Sequence, residues 1–193
     1  MDLLTNIVEQ LINGLRTGSI YALIALGYTM VYGIAKMINF AHGDIIMVGA
    51  YSLYVFYGIL GLGAPVAIVL SIVVCAVLGV VIEKVAYKPL RNAQPLAVLI
   101  TAIGVSFLLQ NLALLIFKAT PIPFGSIIKV PSVKIAGITI SGITIVTLVV
   151  TTVSMIALTL FINKTKAGRA MRAVSEDKGA AELMGISVNR TIS

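Results

Sequence analysis

A few polar side chains stand out in an otherwise apolar sequence, and their types limit the chemistry open to the chain. Asn39, His42 and Asp44 lie close together, and Gln110 and Asn111 form the most polar pair within a later apolar run. Amide, imidazole and carboxyl groups hydrogen bond strongly. In apolar surroundings they therefore bond to a neighbouring helix or face a water-filled cavity. The sequence leaves both interpretations open.

Catalytic motifs are absent from the sequence. A nucleotide-binding P-loop needs Gly-Lys followed by Ser or Thr, and no glycine here precedes a lysine. His42 is the only histidine and Cys75 the only cysteine, too few for a zinc cluster, and no Gly-x-Ser-x-Gly elbow occurs. The sequence therefore predicts a protein that is not an enzyme and binds no metal or other cofactor.

Composition indicates a membrane protein. Hydrophobic residues make up 59% of the 193 residues and charged residues 11%, which is outside the range of soluble globular domains. The net charge of +7 comes from lysines and arginines between apolar runs. The positive-inside rule explains this charge better than binding to nucleic acid does, so the lipid bilayer is the expected partner.

Five apolar runs predict an all-α, polytopic helical bundle of about five membrane spans. A hydrocarbon core of ~30 Å needs about 20 helical residues, and the first two runs fall short of that length. They flank residues 36–44, which form either a tight turn or a helix broken at membrane depth, as in the substrate paths of transporters. The predicted spans lie near residues 19–35, 45–60, 64–82, 96–117 and 143–162.

Residues 1–18 are predicted to form an amphipathic lead-in at the interface, or an early start to the first span. None of the five runs contains Asp, Glu, Lys or Arg, which disfavours a proton-driven carrier. Together, the five runs and the loops between them make residues 19–162 the predicted transmembrane region. The candidate residues of a translocation path are Asn39, His42, Asp44, Gln110 and Asn111.

The distribution of Lys and Arg predicts the topology. With a cytoplasmic C-terminus, the loops on that side carry ten of these residues and the opposite side carries four. This bias favours an external N-terminus. If residues 36–44 are instead buried within one broken helix, one span is lost and the N-terminus moves inside.

Residues 163–193 are predicted to form a water-facing cytoplasmic segment, because residues 164–193 hold nine of the 21 charged residues. Ser175 is expected to cap a short helix whose first turn is acidic. Gly185 is placed to end that helix in a left-handed turn. This segment is thus expected to carry a C-terminal cytoplasmic helix.

The spacing within this segment resembles a known pattern. Permeases of ATP-binding-cassette (ABC) importers carry a cytoplasmic loop with Glu-Ala-Ala, three residues, then Gly. Ala180 and Ala181, followed after three residues by Gly185, are similar to that loop, with Gly179 in place of the glutamate. We therefore expect this helix to couple to an ATPase.

Longer motifs resemble permeases of branched-chain amino acid ABC transporters of the high-affinity LIV-I type. These motifs are GSIYALIALG at 18–27, INFAHGD at 38–44, YKPLR at 87–91, GRAMRA at 168–173 and AAELMGI at 180–186. Family members are longer, so the chain is expected to be the first part of such a permease.

The resemblance implies a multi-pass permease subunit of the bacterial inner membrane. It implies a second permease subunit in a heterodimer, cytoplasmic ATP-binding subunits that dock at residues 175–186, and an external substrate-binding protein. The alternatives are an ABC permease for urea or short amides and an ATPase-independent channel or carrier. The expected ATPase-coupling residues are Arg169, Arg172, Asp177, Ala180, Ala181, Leu183, Met184 and Gly185.

Overall fold

The computed structural model describes residues 3–91, 93–125, 127, 130–135 and 138–193. In chain order, its regular elements are α1 (Leu3–Ala35), α2 (His42–Leu53), α3 (Ala64–Ile82), α4 (Pro95–Phe117), β1 (Val133–Ile135), β2 (Ile138–Ile140), α5 (Gly142–Lys164), α6 (Lys166–Glu176), α7 (Lys178–Leu183) and α8 (Val188–Ile192). Apart from one short hairpin the described elements are helical, so the predicted helical fold class is confirmed.

The chain divides into two compact units. One comprises residues 1–34 and 126–192, and the other comprises residues 35–125 with residue 193. In the first unit, β1 and β2 pair antiparallel with Val133 opposite Ile140, and α5 packs against α6. The second unit is built on α2, α3 and α4.

Helix α2 packs closely on α3 in the second unit because small residues line their contact. A β-carbon placed on Gly49 would lie 2.8 Å from Cys75 Sγ, so only glycine fits there without displacement. The Cys75 thiol also donates a hydrogen bond to the Ile45 carbonyl oxygen at 3.6 Å. The buried core of this unit includes Ala41 and Tyr87.

Two of these helices continue as wide π turns. The turn after α2 spans Tyr54–Ile59, and the turn after α3 spans Glu83–Tyr87 and leads into a 3₁₀ turn at Lys88–Leu90. The Leu60 amide donates to the Val55 carbonyl oxygen at 2.9 Å, a hydrogen bond across five residues. Such widened turns recur at functional sites.

Four helices within the described residues are long and apolar enough to cross a membrane: Thr5–Ala35, Ala64–Leu90, Leu96–Phe117 and Gly142–Lys164. About five spans were predicted. The difference is the run near residues 45–60, where the helix starts earlier, with His42 and Asp44 in its first turn, and its regular part ends after 12 residues.

Helix α1 joins the predicted lead-in to the first predicted span. It runs without interruption from Leu3 to Ala35, while residues 1 and 2 of the lead-in lie outside the described residues. Helix α1 is the least apolar of the four candidate spans, and its most apolar stretch contains no buried residue. Its side chains are therefore available to lipid or to another chain.

Candidate functional site

The polar residues predicted between the first two spans lie in a short non-helical link. Helix α1 ends at Ala35, Lys36 takes a left-handed conformation with φ 56°, and α2 begins at His42. Asn39 Oδ1 accepts hydrogen bonds from the Tyr87 hydroxyl at 2.7 Å and from the Ala41 amide at 3.1 Å. Asn39 thus connects the link to the π turn that follows α3.

Asp44 and Gln110, two of the predicted path residues, are in contact. The Asp44 side chain is buried, with 7% exposure, in the first turn of α2, where the helix dipole favours a carboxylate. Gln110 Nε2 donates to Asp44 Oδ1 at 3.0 Å and to Ser106 Oγ at 3.1 Å. The pair therefore joins α2 to α4.

The other two predicted path residues have different surroundings. Asn111 is exposed and its side-chain amide donates to the carbonyl oxygen of Phe107 in its own helix at 2.7 Å. His42 is half-buried at the first position of α2. The contacts of Asn111 therefore do not bring it to Asp44. The roles of Asn111 and His42 in the translocation path stay predictions.

Sequence reasoning missed the partners on which this cluster depends. Tyr87 belongs to a motif that we noted only for its resemblance, and it forms the hydrogen bond to Asn39. Glu83 and Arg91 form an ion pair that links the π turn to the residues after it. The sequence did contain a signal for this ion pair. Glu83 and Arg91 carry opposite charges at the two ends of a short polar stretch that follows an apolar run.

The corner between α5 and α6 positions the C-terminal helices. Thr165 Oγ1 accepts a hydrogen bond from the Gly168 amide at 3.0 Å and so caps α6. A β-carbon on Gly168 would collide with backbone atoms of Ile162 and Phe161. Glycine at position 168 therefore lets the two helices approach at this corner.

The predicted cap of the short C-terminal helix was wrong. Ser175 lies inside α6, where its hydroxyl donates to the Arg172 carbonyl oxygen at 2.7 Å. The chain leaves helical geometry only at Asp177, whose Oδ1 accepts from the Gly179 and Ala180 amides at 2.8 and 3.0 Å. Asp177 caps α7 because the backbone extends there, with φ −148° and ψ 115°.

The predicted end of this helix is confirmed. Gly185 has φ +79°, and its amide donates to the Glu182 carbonyl oxygen at 2.9 Å. The Ile186 amide donates to the Ala181 carbonyl oxygen at 3.0 Å. These two bonds are those of a Schellman motif, which satisfies the last carbonyl groups of a helix.

The predicted coupling residues divide by exposure. Ala181 is 3% exposed and faces its own chain, whereas Leu183 and Met184 are 90% and 82% exposed. Ala180 is exposed as well. The last residue of α7 and the residue that follows it therefore present large apolar side chains to their surroundings.

The two predicted arginines lie on α6 and are exposed. Arg169 Nη1 donates to the Lys164 carbonyl oxygen at 3.4 Å, and Arg172 Nη2 donates to Asn163 Oδ1 at 2.5 Å. Both arginines therefore help to hold α6 to the end of α5.

Asp177→Ala should weaken the start of α7. Loss of an N-cap destabilises a helix by about 1 kcal/mol, which is about a fivefold change in a local opening equilibrium. Hydrogen exchange of the Gly179 and Ala180 amides should accelerate by that factor in the membrane-bound protein. Ser175→Ala is the matched control and should leave both amides unchanged. Equal effects of the two substitutions would contradict the assignment of the cap.

Residues 10–193 match the family described as the permease component of the branched-chain amino acid transport system. The chain belongs to this family. The predicted recognition is confirmed, and so is a multi-pass protein of the bacterial inner membrane.

Curated relatives share this family. The chain is 39% identical to the high-affinity branched-chain amino acid transport system permease protein LivH of Salmonella typhimurium, over 96% of this chain and 64% of the relative. It is 42% identical to the corresponding protein BraD of Pseudomonas aeruginosa, with the same coverage. The chain thus spans 64% of the length of these relatives. No solved structure matches the chain significantly.

Proposed function

We propose that the chain is a translocation subunit of an ATP-driven importer of branched-chain amino acids and that α7 docks on a cytoplasmic ATPase. The exposed apolar pair Leu183 and Met184 carries this proposal. Leu183 and Met184 are adjacent in sequence, and contiguous exposed apolar patches mark protein or membrane contacts. An apolar helix face that enters a groove of a partner is a common mode of recognition.

The ends of α7 suit it to transmit motion. Asp177 fixes its start and Gly185 its end through the hydrogen bonds described above. Helix α6 connects it to α5 through the close corner at Gly168. A short helix held at both ends moves as one body, so closure of an ATPase around it would displace α5.

The proposed organisation follows from this assignment. Residues 1–18 form the lead-in, residues 19–162 the transmembrane permease region, and residues 163–193 the coupling segment. A second permease subunit, an external substrate-binding protein and cytoplasmic ATP-binding subunits complete the importer. The names of the relatives, which are permeases of high-affinity branched-chain amino acid transport systems, support this set of partners.

The proposed path passes the Asp44–Gln110 pair. A buried carboxylate in a membrane bundle is expensive and marks a functional site by default, and here it joins two helices of one unit. Asn39 lies in the non-helical link, the kind of backbone that membrane proteins tolerate only inside protein or beside a wet cavity.

Uptake by the assembled importer tests the function. The chain is produced with its partner subunits, purified with the ATPase and reconstituted into vesicles. Labelled leucine should enter only with ATP and the binding protein present, and excess valine should compete whereas urea should not. Uptake without ATP would favour the channel or carrier, and competition by urea would favour the amide permease.

A further inference from the structure

Two cavities adjoin in the unit of residues 35–125, and both are lined by Tyr51 and Ala113. The first has a volume of about 290 Å³ and is almost entirely apolar, with Val55 of the π turn and Leu109 of α4 in its wall. The second has a volume of about 380 Å³ and includes polar side chains. An apolar and a polar compartment thus meet at one tyrosine.

Tyr51 is held in place between the two compartments. Its ring stacks on Phe117 with a centroid distance of 4.1 Å and an interplanar angle of 13°. Tyr54 contacts the same phenylalanine edge-on at 6.4 Å. Aromatic pairs of this kind fix ring orientation as well as bury area, so the division between the cavities is built into the unit.

The polar compartment has unused hydrogen-bonding capacity. Tyr51, Lys118 and Thr120 are among its lining residues, and each carries a hydrogen-bond donor. Within the described part of the chain, these three groups form no hydrogen bond or ion pair with protein atoms. Lys118 and Thr120 are exposed to solvent, so their donor groups are available to a ligand in this cavity.

Gln110 adds an acceptor to this compartment, and Asp44 fixes which atom it offers. A carboxylate only accepts hydrogen bonds, so the amide nitrogen of Gln110 must face Asp44, as the 3.0 Å contact shows. The carbonyl oxygen of Gln110 then has no protein donor within the described residues. Asp44 is thus a positioning residue for Gln110.

We propose that the paired cavities bind an aliphatic α-amino acid across Tyr51. The aliphatic side chain occupies the apolar cavity, Lys118 with the hydroxyls of Tyr51 and Thr120 binds the carboxylate, and the Gln110 carbonyl oxygen accepts from the ammonium group. This site deepens the proposed function and rests on it.

The division of chemistry selects this class of ligand. Ligand sites of roughly 300 to 1,000 Å³ combine mostly apolar walls with a few placed polar groups. Urea or a short amide would leave the apolar cavity unfilled and would give Lys118 no anion to pair with. A zwitterion with a branched aliphatic chain uses both compartments, so the site separates the two substrate classes considered for the family.

Photolabelling tests the site separately from transport. The probe is a leucine analogue with a diazirine in its side chain, added to the purified importer without binding protein. Labelled peptides should map to Val48, Val55 and Leu109, with competition by leucine and none by urea. Lys118→Gln should reduce labelling about tenfold, because a charge-assisted hydrogen bond is lost, and Lys118→Arg should restore it to within about twofold.

Further variants keep the test decisive. Lys134→Gln, an exposed lysine of β1, is the matched control and should label as the unchanged protein does. Val55→Phe should reduce labelling by filling the apolar cavity, and the smaller change Val55→Leu should reduce it less. Labelling unaffected by Lys118→Gln, or located elsewhere, would overturn the site even if uptake persists. Loss of ATP-driven uptake with this labelling pattern intact would count against the proposed function alone.

Discussion

Replacing Leu183 and Met184 together by aspartate is expected to weaken ATPase retention by about two orders of magnitude and to stop uptake. Each side chain is almost fully exposed in the chain alone, so the change removes no internal packing. Full burial of such a side chain in a partner stabilises a complex by about 1.5–3 kcal/mol, and a factor of ten in affinity is about 1.4 kcal/mol. The measurement is the amount of ATPase that co-purifies at equal membrane levels of the permease.

Matched variants separate docking from folding. Leu183→Met and Met184→Leu conserve volume and should retain the ATPase to within a few-fold. Substitution of Ala181 would not make this distinction, because its side chain packs within its own chain. Normal retention and uptake by the double aspartate variant would show that α7 is a solvated linker, and the docking assignment would be withdrawn.

Replacing Gly168 by valine is expected to disrupt the corner between α5 and α6. The added β-carbon meets backbone atoms of Ile162 and Phe161, and backbone inside a regular helix cannot move aside as a side chain can. Overpacking against movable side chains already costs roughly 1–3 kcal/mol, so this collision should exceed that range. Because α5 remains apolar, the helix should still insert, and the damage should appear in α6 and α7.

Limited proteolysis on membrane vesicles measures this effect. Trypsin should cut the Gly168→Val protein at Lys166, Arg169 and Arg172 at least tenfold faster than it cuts the unchanged protein, because local unfolding exposes these bonds. Gly179→Ala is the control, since its nearest neighbour would be Asp177 Oδ1 at an ordinary 3.4 Å. Equal cutting rates for the two variants would mean that the corner tolerates a side chain.

Local chemistry explains which features of the C-terminal helices were predictable. Gly185 was predicted because a left-handed helix end depends on one residue type at one position. Serine and aspartate are about equally favoured as N-cap residues, so residue type alone does not decide whether Ser175 or Asp177 caps the helix. The cap is the residue at which the chain leaves helical geometry, and the continuation of α6 to Glu176 shifts that point past Ser175.

Long-range packing explains what the sequence could not show. Asp44 and Gln110 stood out separately as polar groups in apolar surroundings, but they lie 66 positions apart and only the packing of α2 and α4 joins them. The same holds for Tyr51 of α2 and Lys118, the residue after α4, which line one cavity. No local pattern in the sequence predicts that these two residues line the same cavity.

The exposed surface of α1 has a consequence for how the protein is made. This helix leaves the ribosome before α3, yet it is the least apolar candidate span and has no buried residue in its most apolar stretch. Insertion of each helix depends on its own hydrophobicity, and flanking Lys and Arg residues set its orientation. Here α3 is the most apolar span, and Lys84, Lys88 and Arg91 follow it closely. We therefore expect α3 to set the orientation of the helices in the membrane, after α1 has already been synthesised.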